Sequence, residues 1–563
     1  MMLAALVLAA LPAGYFPLLE RGAADARAYL DAAPEPTLKA LESDRRWVHF
    51  PYTILPPAVL YARGRRDPAM RDLAIRIGDL LAAEDEKGVF APRLDSDWDT
   101  YMWLEAYRLL ERELGGARRE RWKRAIERNV ALFAGPAAER VDFPWYNSPY
   151  ISTSPNHYSL WAANLLLAAR VFGGHKDWDE LGARILRRFA TEEQAPDGFW
   201  GEHARSGPAI GYNHLTLSAV ALYWELTKDP AALAAIRRAT DFHKNFTWPD
   251  GTPVETVNNR NRYWALSAWS HFAFSNFADG RGYAEFLASK FDAGGLSAND
   301  MGRLAQNALY YHEGATEPPP QAKPAYAYRM ALPAGIRKTG PWAVAYSGII
   351  DTQAPRNQFY LDRQANLSVF HEKLGLIVSG ANSKRQPGLA TFAEKLLGQV
   401  FYLPLSSRLQ MSDAVDRLSL AYNAFWADVL VPRPSPAELN FRVEITGVGS
   451  PPDDAQFTLQ LVLKPGEQLE TGTGRRITVG AEAIDLAPEA LGGLLRHHGW
   501  TMKLDPGAAL HWPVYPFNPY ADAPEKTLEH AVATLKVPLR LKSQPGRSVR
   551  PKERELAFTI EAR

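Results

Sequence analysis

Residues 313–328, "EGATEPPPQAKPAYAY", stand between two stretches of different hydrophobic period, and that break decides the fold. Upstream, from about Thr37 to Tyr311, apolar residues recur three and four apart between short Gly, Pro and Asp breaks, the spacing of helices. It predicts helices at 56–64, 69–84, 98–113, 117–134, 156–172, 177–190, 212–227, 231–245, 259–275, 279–290 and 299–311. Helices in series with short joints form hairpins, which either stack as a solenoid or close into a toroid. The lack of a fixed sequence period weakens the solenoid. Downstream the period becomes two. "WAVAYSGII" (342–350), "NLSVF" (366–370), "LGLIVSG" (374–380), "LSLAYNAFWADVLV" (418–431), "FTLQLVLK" (457–464) and "ATLKVPLRLK" (533–542) are strand-like and separated by turn clusters. Helices first and strands afterwards imply a multidomain α + β chain. The expected parts are an incomplete (α/α) toroid over 35–312, a stiff Pro-rich linker over 313–325, and an antiparallel β-sandwich over 326–563.

At 563 residues the chain is too long for one core, which agrees with two domains. A formal net charge of +1 gives no reason to expect nucleic acid, while a local basic cleft for an anionic substrate remains compatible with it. With no cysteine, disulfides, thiolate metal sites and cysteine nucleophiles are excluded. The start, "MMLAALVLAALPAGYF", is apolar for about a dozen residues and closes on Ala13 and Gly14. Residues 1–14 have the length of an export signal and are too short to span a bilayer, so a secreted or periplasmic protein is expected. The segment lacks a basic beginning, which leaves a buried first helix or a misassigned start as alternatives.

The chemistry-bearing stretch is "SPNHYSLWAANLLLAA", 154–169. Ser154 suits an N-cap and Pro155 the first helical position, which places Asn156 and His157 in the first turn at the positive end of the helix dipole. They either complete the cap or hold a carboxylate there. A second segment, 196–226, "PDGFWGEHARSGPAIGYNHLTLSAVALYWEL", starts another helix near Tyr212. One helix lies between the two, and in an up–down array helices n and n+2 are parallel. Arg205, Tyr212, Asn213 and His214 should then converge on Asn156 and His157. The loop "ETVNNRNRYW", 255–264, should add Arg260, Arg262 and Tyr263 to the same rim. Elimination across a glycosidic bond to a uronic acid suits this set. Asn and Arg donors stabilise the charge that develops on the carboxylate when the C5 proton leaves. A tyrosine among cations can remove that proton and protonate the leaving oxygen, and a histidine can act as base from the opposite face. Neither metal nor organic cofactor is required, and none is expected.

These residues carry a resemblance. "NHYSLWAANLLLAARVFGG" resembles the Asn-His-x-x-Trp helix of alginate lyases of the α/α-toroid type, and "DGFWGEHARSGPAIGY" is similar to their later segment, in which an Arg precedes a catalytic Tyr by a loop. The added strand domain resembles the wider group that includes heparinase II/III-like and chondroitin lyases. The resemblance implies Asn156 and Arg205 as carboxylate neutralisers, His157 as neutraliser or base, and Tyr212 as base and acid. It covers about 70 residues and departs at Pro155, where the family has a further Asn, and at Asn213, after the Tyr. It implies a polysaccharide lyase with an anionic polysaccharide as partner, alginate first and glucuronan or glycosaminoglycan next.

Further substrate contacts are expected from His203, Trp145, Tyr146, Asn147 and Tyr158, and from Asp97 and Trp98 as a sugar subsite. His371 is the strand-domain histidine best suited to reach a cleft, ahead of His497 and His498. Asp95, Asp97, Asp99, Glu105 and Glu202 support the rival reading, a glycoside hydrolase working with two carboxylates. Their bland reading is a capped, solvated helix start. A third reading is a non-catalytic carbohydrate-binding protein. No HExxH, P-loop or G-x-S-x-G pattern points to other chemistry.

Overall fold

The computed structural model describes residues 14–88, 97–140, 155–201, 207–258, 265–350, 364–380 and, with breaks, the stretch from 386 to 563. They form two compact units. The first comprises Met1–His203, Gly211–Lys244 and Leu266–Pro319, and the second Ala204–Ile210, Asn245–Ala265 and Pro320–Arg563.

The first unit is helical: α1 Phe16–Ala32, α2 Leu38–Leu41, α3 Leu55–Arg63, α4 Pro68–Glu86, α5 Asp97–Leu110, α6 Gly116–Arg140, α7 Pro155–Phe172, α8 Lys176–Arg188, α9 Ile210–Thr227, α10 Pro230–Asn245, α11 His271–Phe274, α12 Ala278–Ala288 and α13 Ala298–Tyr310. Sequence pattern sorts them into two layers. Helices α5 and α7 are buried on nearly every face, as a helix must be when others surround it. By contrast α8 buries only Trp178, Gly182, Ile185 and Leu186, one stripe of an otherwise charged helix, and so belongs outside. A Cβ at Gly182 would sit 2.6 Å from the Ala162 carbonyl, so only glycine allows α8 this close to α7. The last helix, α13, opens with a capping box between Ser297 and Asp300 and packs on α1 and α3, which brings the two ends of the helical series together. This is the toroid of helical hairpins that the periodicity predicts.

All the expected helices but one are present, with ends shifted by up to a turn or two. The exception is the helix at 259–275: among the described residues of that stretch, 265–275, only α11, His271–Phe274, forms. Ser270, at φ 67°, takes the left-handed conformation that stops helix propagation upstream. Its hydroxyl is held by the His214 carbonyl and by Ser218 Oγ, so tertiary bonds override the apolar spacing. In the other direction, α1 is a helix that the periodicity does not predict, while residues 1–13 of the expected export signal lie outside the described residues. Leu18, Leu19, Ala23, Ala26 and Leu30 of α1 join the core.

Among the described residues, the second unit holds two large antiparallel sheets and one two-stranded ribbon, Phe517–Asn518 with Ala523–Pro524. One large sheet runs Ala325–Arg329, Ala334–Thr339, Trp342–Ser347, Asn366–His371, Gly375–Ser379, Gln456–Leu461, Val532–Pro538, Ala509–Val514, Ile484–Leu486. The other runs Arg476–Thr478, Gln468–Thr471, Leu494–His497, Trp500–Lys503, Lys552–Ala562, Glu438–Gly447, Phe425–Pro432, Val415–Ala421, Ser406–Met411. Their inner faces share one core, as a sandwich requires. Strand Glu438–Gly447 alternates, with Leu439, Phe441, Val443 and Ile445 inward. Strands Trp342–Ser347 and Asn366–His371 are instead buried on both faces. A covering arm, 245–258, explains part of this. Trp248 stacks on Phe370 at 5.3 Å, and the buried Glu255 carboxylate accepts from Trp248 Nε1 (2.9 Å), Ser368 Oγ (2.7 Å) and Gly380 N (3.3 Å). Burial pushes the Glu255 carboxyl upward, against these donors.

Candidate active site

Helices α5 and α7 start side by side. Asn164, two turns into α7, donates from Nδ2 to the Asp97 carbonyl (3.0 Å) as well as to Leu160 O (3.1 Å), which pins α7 to the first residue of α5. Two turns before Asn164, His157 Nδ1 donates to Asp97 Oδ2 at 2.9 Å. The other carboxylate oxygen accepts from Trp98 N, also at 2.9 Å. Asp97 is fully buried, whereas the His157 side chain is 29% exposed. Burial pushes the Asp97 carboxyl upward, and His157 and the Trp98 N–H oppose that shift. With Nδ1 committed to the carboxylate, the lone pair of the neutral ring resides on Nε2. Asn156, beside His157 in the same first turn, is 1% exposed.

A row of rings leads away from this dyad. Trp98 lies 6.4 Å from the His157 ring and meets Trp269 edge-on at 4.5 Å. The Arg303 guanidinium stacks over Trp269, 3.3 Å from the ring centroid, and faces Tyr52 at 5.6 Å. Nearby, His49 Nδ1 lies 3.4 Å from Asp99 Oδ1. Burial depresses the His49 pKa, but the Asp99 hydrogen bond and charge more than offset it and leave the ring above its ordinary value.

Tyr212 sits half-buried in the first turn of α9, against the helical core. The two residues after it are engaged internally. Asn213 is 1% exposed; its side-chain oxygen accepts from Trp200 N (2.8 Å) and its Nδ2 donates to His243 Nε2 (2.7 Å). His214 stacks on His243 at 3.8 Å. Burial and the neighbouring His243 hold His214 well below the usual histidine range, and burial lowers His243 to about 3. Both rings therefore stay neutral at physiological pH. The expected substrate contacts at Asn213 and His214 give way to an internal network that fixes the start of α9, because the Asn213 amide is bonded inward through both its oxygen and its nitrogen.

Other expected contacts have packed or hydrogen-bonded surroundings of their own. Tyr158 is 5% exposed, packs on Trp161 and Phe189, and donates its hydroxyl to the Ala137 carbonyl, so it is a core residue. Glu105 accepts from Tyr101, Arg108 and Tyr310 in a closed network and has no oxygen left for hydrolysis. His371, in the strand unit, lies edge-on to Trp342 with Nδ1 accepting from Lys373 N (3.3 Å). His497 and His498 are bonded to Gln468 O and Glu467. Trp145, Tyr146, Asn147, Ser154, Asp95, Glu202, His203, Arg205, Arg260, Arg262 and Tyr263 lie outside the described residues. Among the described residues, no three His, Asp or Glu side chains gather as metal ligands, and no helix is long and apolar enough to cross a membrane.

Trp269, Arg303, His49 and Tyr52 are absent from the sequence-based site. The spacing assigned 269 to a helix wall, and no motif surrounds 303. The available signal was an arginine, a glutamine and an asparagine within "LSANDMGRLAQNALYY" (296–311), on a helix whose remaining residues are largely apolar. Gly302 completes the placement. A Cβ there would lie 2.7 Å from Tyr52 Cβ and 2.8 Å from Tyr52 O, so glycine lets α13 close on the 50–54 turn and sets Arg303 against Tyr52.

No family model matches the chain, and no curated protein matches it in sequence. Solved structures do. Heparinase III aligns over 99% of this chain and 86% of its own, with a TM-score of 0.52 at 11% identity. The Streptomyces coelicolor A3 chondroitin AC lyase in complex with chondroitin sulphate aligns over 97% and 79%, at 0.50 and 12%. A point mutant of that same lyase aligns over the same shares, at 0.51 and 12%. At such identities the likeness is one of fold: a helical toroid with an antiparallel β-sandwich.

Proposed function

We propose that this protein is a polysaccharide lyase that cleaves a uronate-containing polymer by β-elimination. The observation that carries the reading is the Asp97–His157 dyad at the start of two adjacent helices, a buried carboxylate holding a partly exposed imidazole in one tautomer. His157 Nε2 removes the proton from C5 of the uronate. The C5–H electrons form the C4=C5 double bond, the C4–O4 bond breaks, and the leaving oxygen takes a proton from Tyr212. Asn156 and Arg205 serve the substrate carboxylate, where charge accumulates as the C5 proton leaves. The fold shared with lyases of heparin and chondroitin supports the same class of chemistry. It also moves glycosaminoglycans level with alginate as first substrates to try, beside glucuronan. A buried Asp97 with both oxygens engaged is poorly placed as a hydrolytic acid or base.

Incubation with alginate, glucuronan, chondroitin sulfate and heparan sulfate, followed by ultraviolet absorbance of the unsaturated product, tests the reading. At least one polymer should give a rise that Tyr212→Phe abolishes. New reducing ends without that absorbance would mean hydrolysis. Binding without any cleavage would mean a carbohydrate-binding protein.

A further inference from the structure

Arg303 is a cation built into the wall of the helical unit, and among the described residues it makes no ion pair. Two other arginines of this unit, each at least partly buried, are matched to carboxylates: Arg108 to Glu105, and Arg237 to Asp241 and Asp279. Asp300, the carboxylate whose charge acts on Arg303, is engaged in the capping box of α13. Arg303 Nε is buried and has no hydrogen-bond partner. Loss of hydration lowers the guanidinium pKa to about 10, a cost that Tyr52, by charge and hydrogen bond, and the Asp300 charge offset only in part. The guanidinium carbon lies 3.3 Å over the Trp269 ring, and the planar fork of an arginine matches a planar or tetrahedral oxyanion.

The backbone around it is also held in unfavourable conformations. His49 (φ 63°) and Ser270 (φ 67°) are both left-handed without being glycine, and each borders this cluster: His49 bonds to Asp99, and Ser270 follows Trp269. Each such residue costs on the order of 1 kcal/mol and persists where surrounding structure fixes it, commonly at ligand sites.

We propose that Arg303, Trp269 and Tyr52 form an oxyanion subsite, which takes the carboxylate or sulfate of a sugar unit next to the one that reacts at His157. The placement rests on the lyase reading. The chain of contacts from the guanidinium to the imidazole runs through two indoles, Trp269 and Trp98, and on that ground the proposal assigns Arg303 to a neighbouring unit. Trp98 and Trp269, both largely buried, pack between the two positions and fix their spacing.

Affinity is measured by tryptophan fluorescence and calorimetry on the full chain in a Tyr212→Phe background, so that no substrate is consumed. The probes are alginate, chondroitin sulfate and heparan sulfate oligosaccharides of equal length and a neutral cello-oligosaccharide. Arg303→Gln should weaken the tightest anionic probe by about ten-fold or more and leave the neutral probe unchanged. Loss confined to sulfated probes assigns the subsite to sulfate; loss with alginate as well assigns it to carboxylate. Equal loss for the neutral probe, affinity within about two-fold of the parent, or no binding of any anionic probe to the parent overturns the proposal. Should R303Q not fold, R303K, which keeps the charge but not the planar fork, carries the test. A loss of about three-fold or more supports the subsite, and unchanged affinity overturns it. The lyase reading fails separately, if the unsubstituted protein yields no unsaturated product while Arg303-dependent binding persists.

Discussion

Asp97→Asn is the substitution that interrogates the dyad most directly. It preserves shape, and the Trp98 N–H fixes its orientation: that donor needs an oxygen, so the asparagine carbonyl must face Trp98 and its NH2 must face His157. Nδ1 of His157 must then accept rather than donate, which moves the ring proton to Nε2 and removes the lone pair assigned to C5. Loss of the correct tautomer in comparable dyads costs between about 10² and 10⁴ in rate, roughly 3–5 kcal/mol of transition-state stabilisation. The loss should fall on kcat, with KM changed by less than about three-fold, because the substituted side chain does not reach solvent. Thermal stability should change little, since burial already disfavours the charge at Asp97. Initial rates of unsaturated product formation across pH, set beside the melting temperature, provide the measurement. Rates within about three-fold of the parent at every pH would refute the tautomer argument. So would a rate loss that disappears once the variant's folded fraction is taken into account.

Three other outcomes are expected. His243 and His271, held by burial at about 3 and about 4, are neutral in the fold, while an unfolded histidine titrates near 6.5. Protonation therefore favours the unfolded chain: this stability is complete above about pH 6.5 and falls as pH drops, by roughly 2 kcal/mol per histidine at pH 5. His243→Gln, whose amide oxygen can still accept from Asn213, should flatten the pH 5–7 dependence of urea stability by one histidine's share, and an unchanged slope would contradict the burial assignment. Gly302→Ala should destabilise by about 1–3 kcal/mol, because its Cβ meets Tyr52 backbone and Cβ atoms with nowhere to shift; tryptophan-monitored denaturation at parental stability would argue against that close approach. Tyr310→Phe removes a donor to the buried Glu105 and should cost about 1–3 kcal/mol without affecting which sugars bind, tested by denaturation beside oligosaccharide affinity.

The architecture was legible because period is a local property. Helices such as α7 and α8 announce themselves through apolar spacing, and the change of period after residue 313 marks where strands begin. Asn156 and His157 could be placed in a first turn from cap chemistry, and Tyr212 near the start of the later helix from the apolar spacing that follows it. What the sequence hides is whatever depends on contacts distant along the chain. Read locally, Asp97 fits a hydrolytic acid or a sugar contact, because nothing nearby says that His157, 60 positions later, uses its carboxylate. Tyr158 and Asn213 look like motif members next to their neighbours, yet the helix turns them into the core. The stop at Ser270 depends on His214 and Ser218, which no window around 270 contains. Arg303 stands out only when its three-dimensional surroundings can be seen.

The arm at 245–258 has a practical consequence for anyone dissecting this chain. The Pro-rich segment at 313–325 invites a cut, but the polypeptide visits the strand unit before it gets there. A fragment ending near residue 319 would still carry Trp248 and Glu255 while lacking Phe370, Ser368 and Gly380, leaving an indole face and a carboxylate without the surroundings that bury them. The complementary fragment would expose the Phe370 side of its sheet. Neither piece is a natural folding module, so the helical and strand units should be expressed together, and fragment complementation should work best when the break leaves the arm on the strand side.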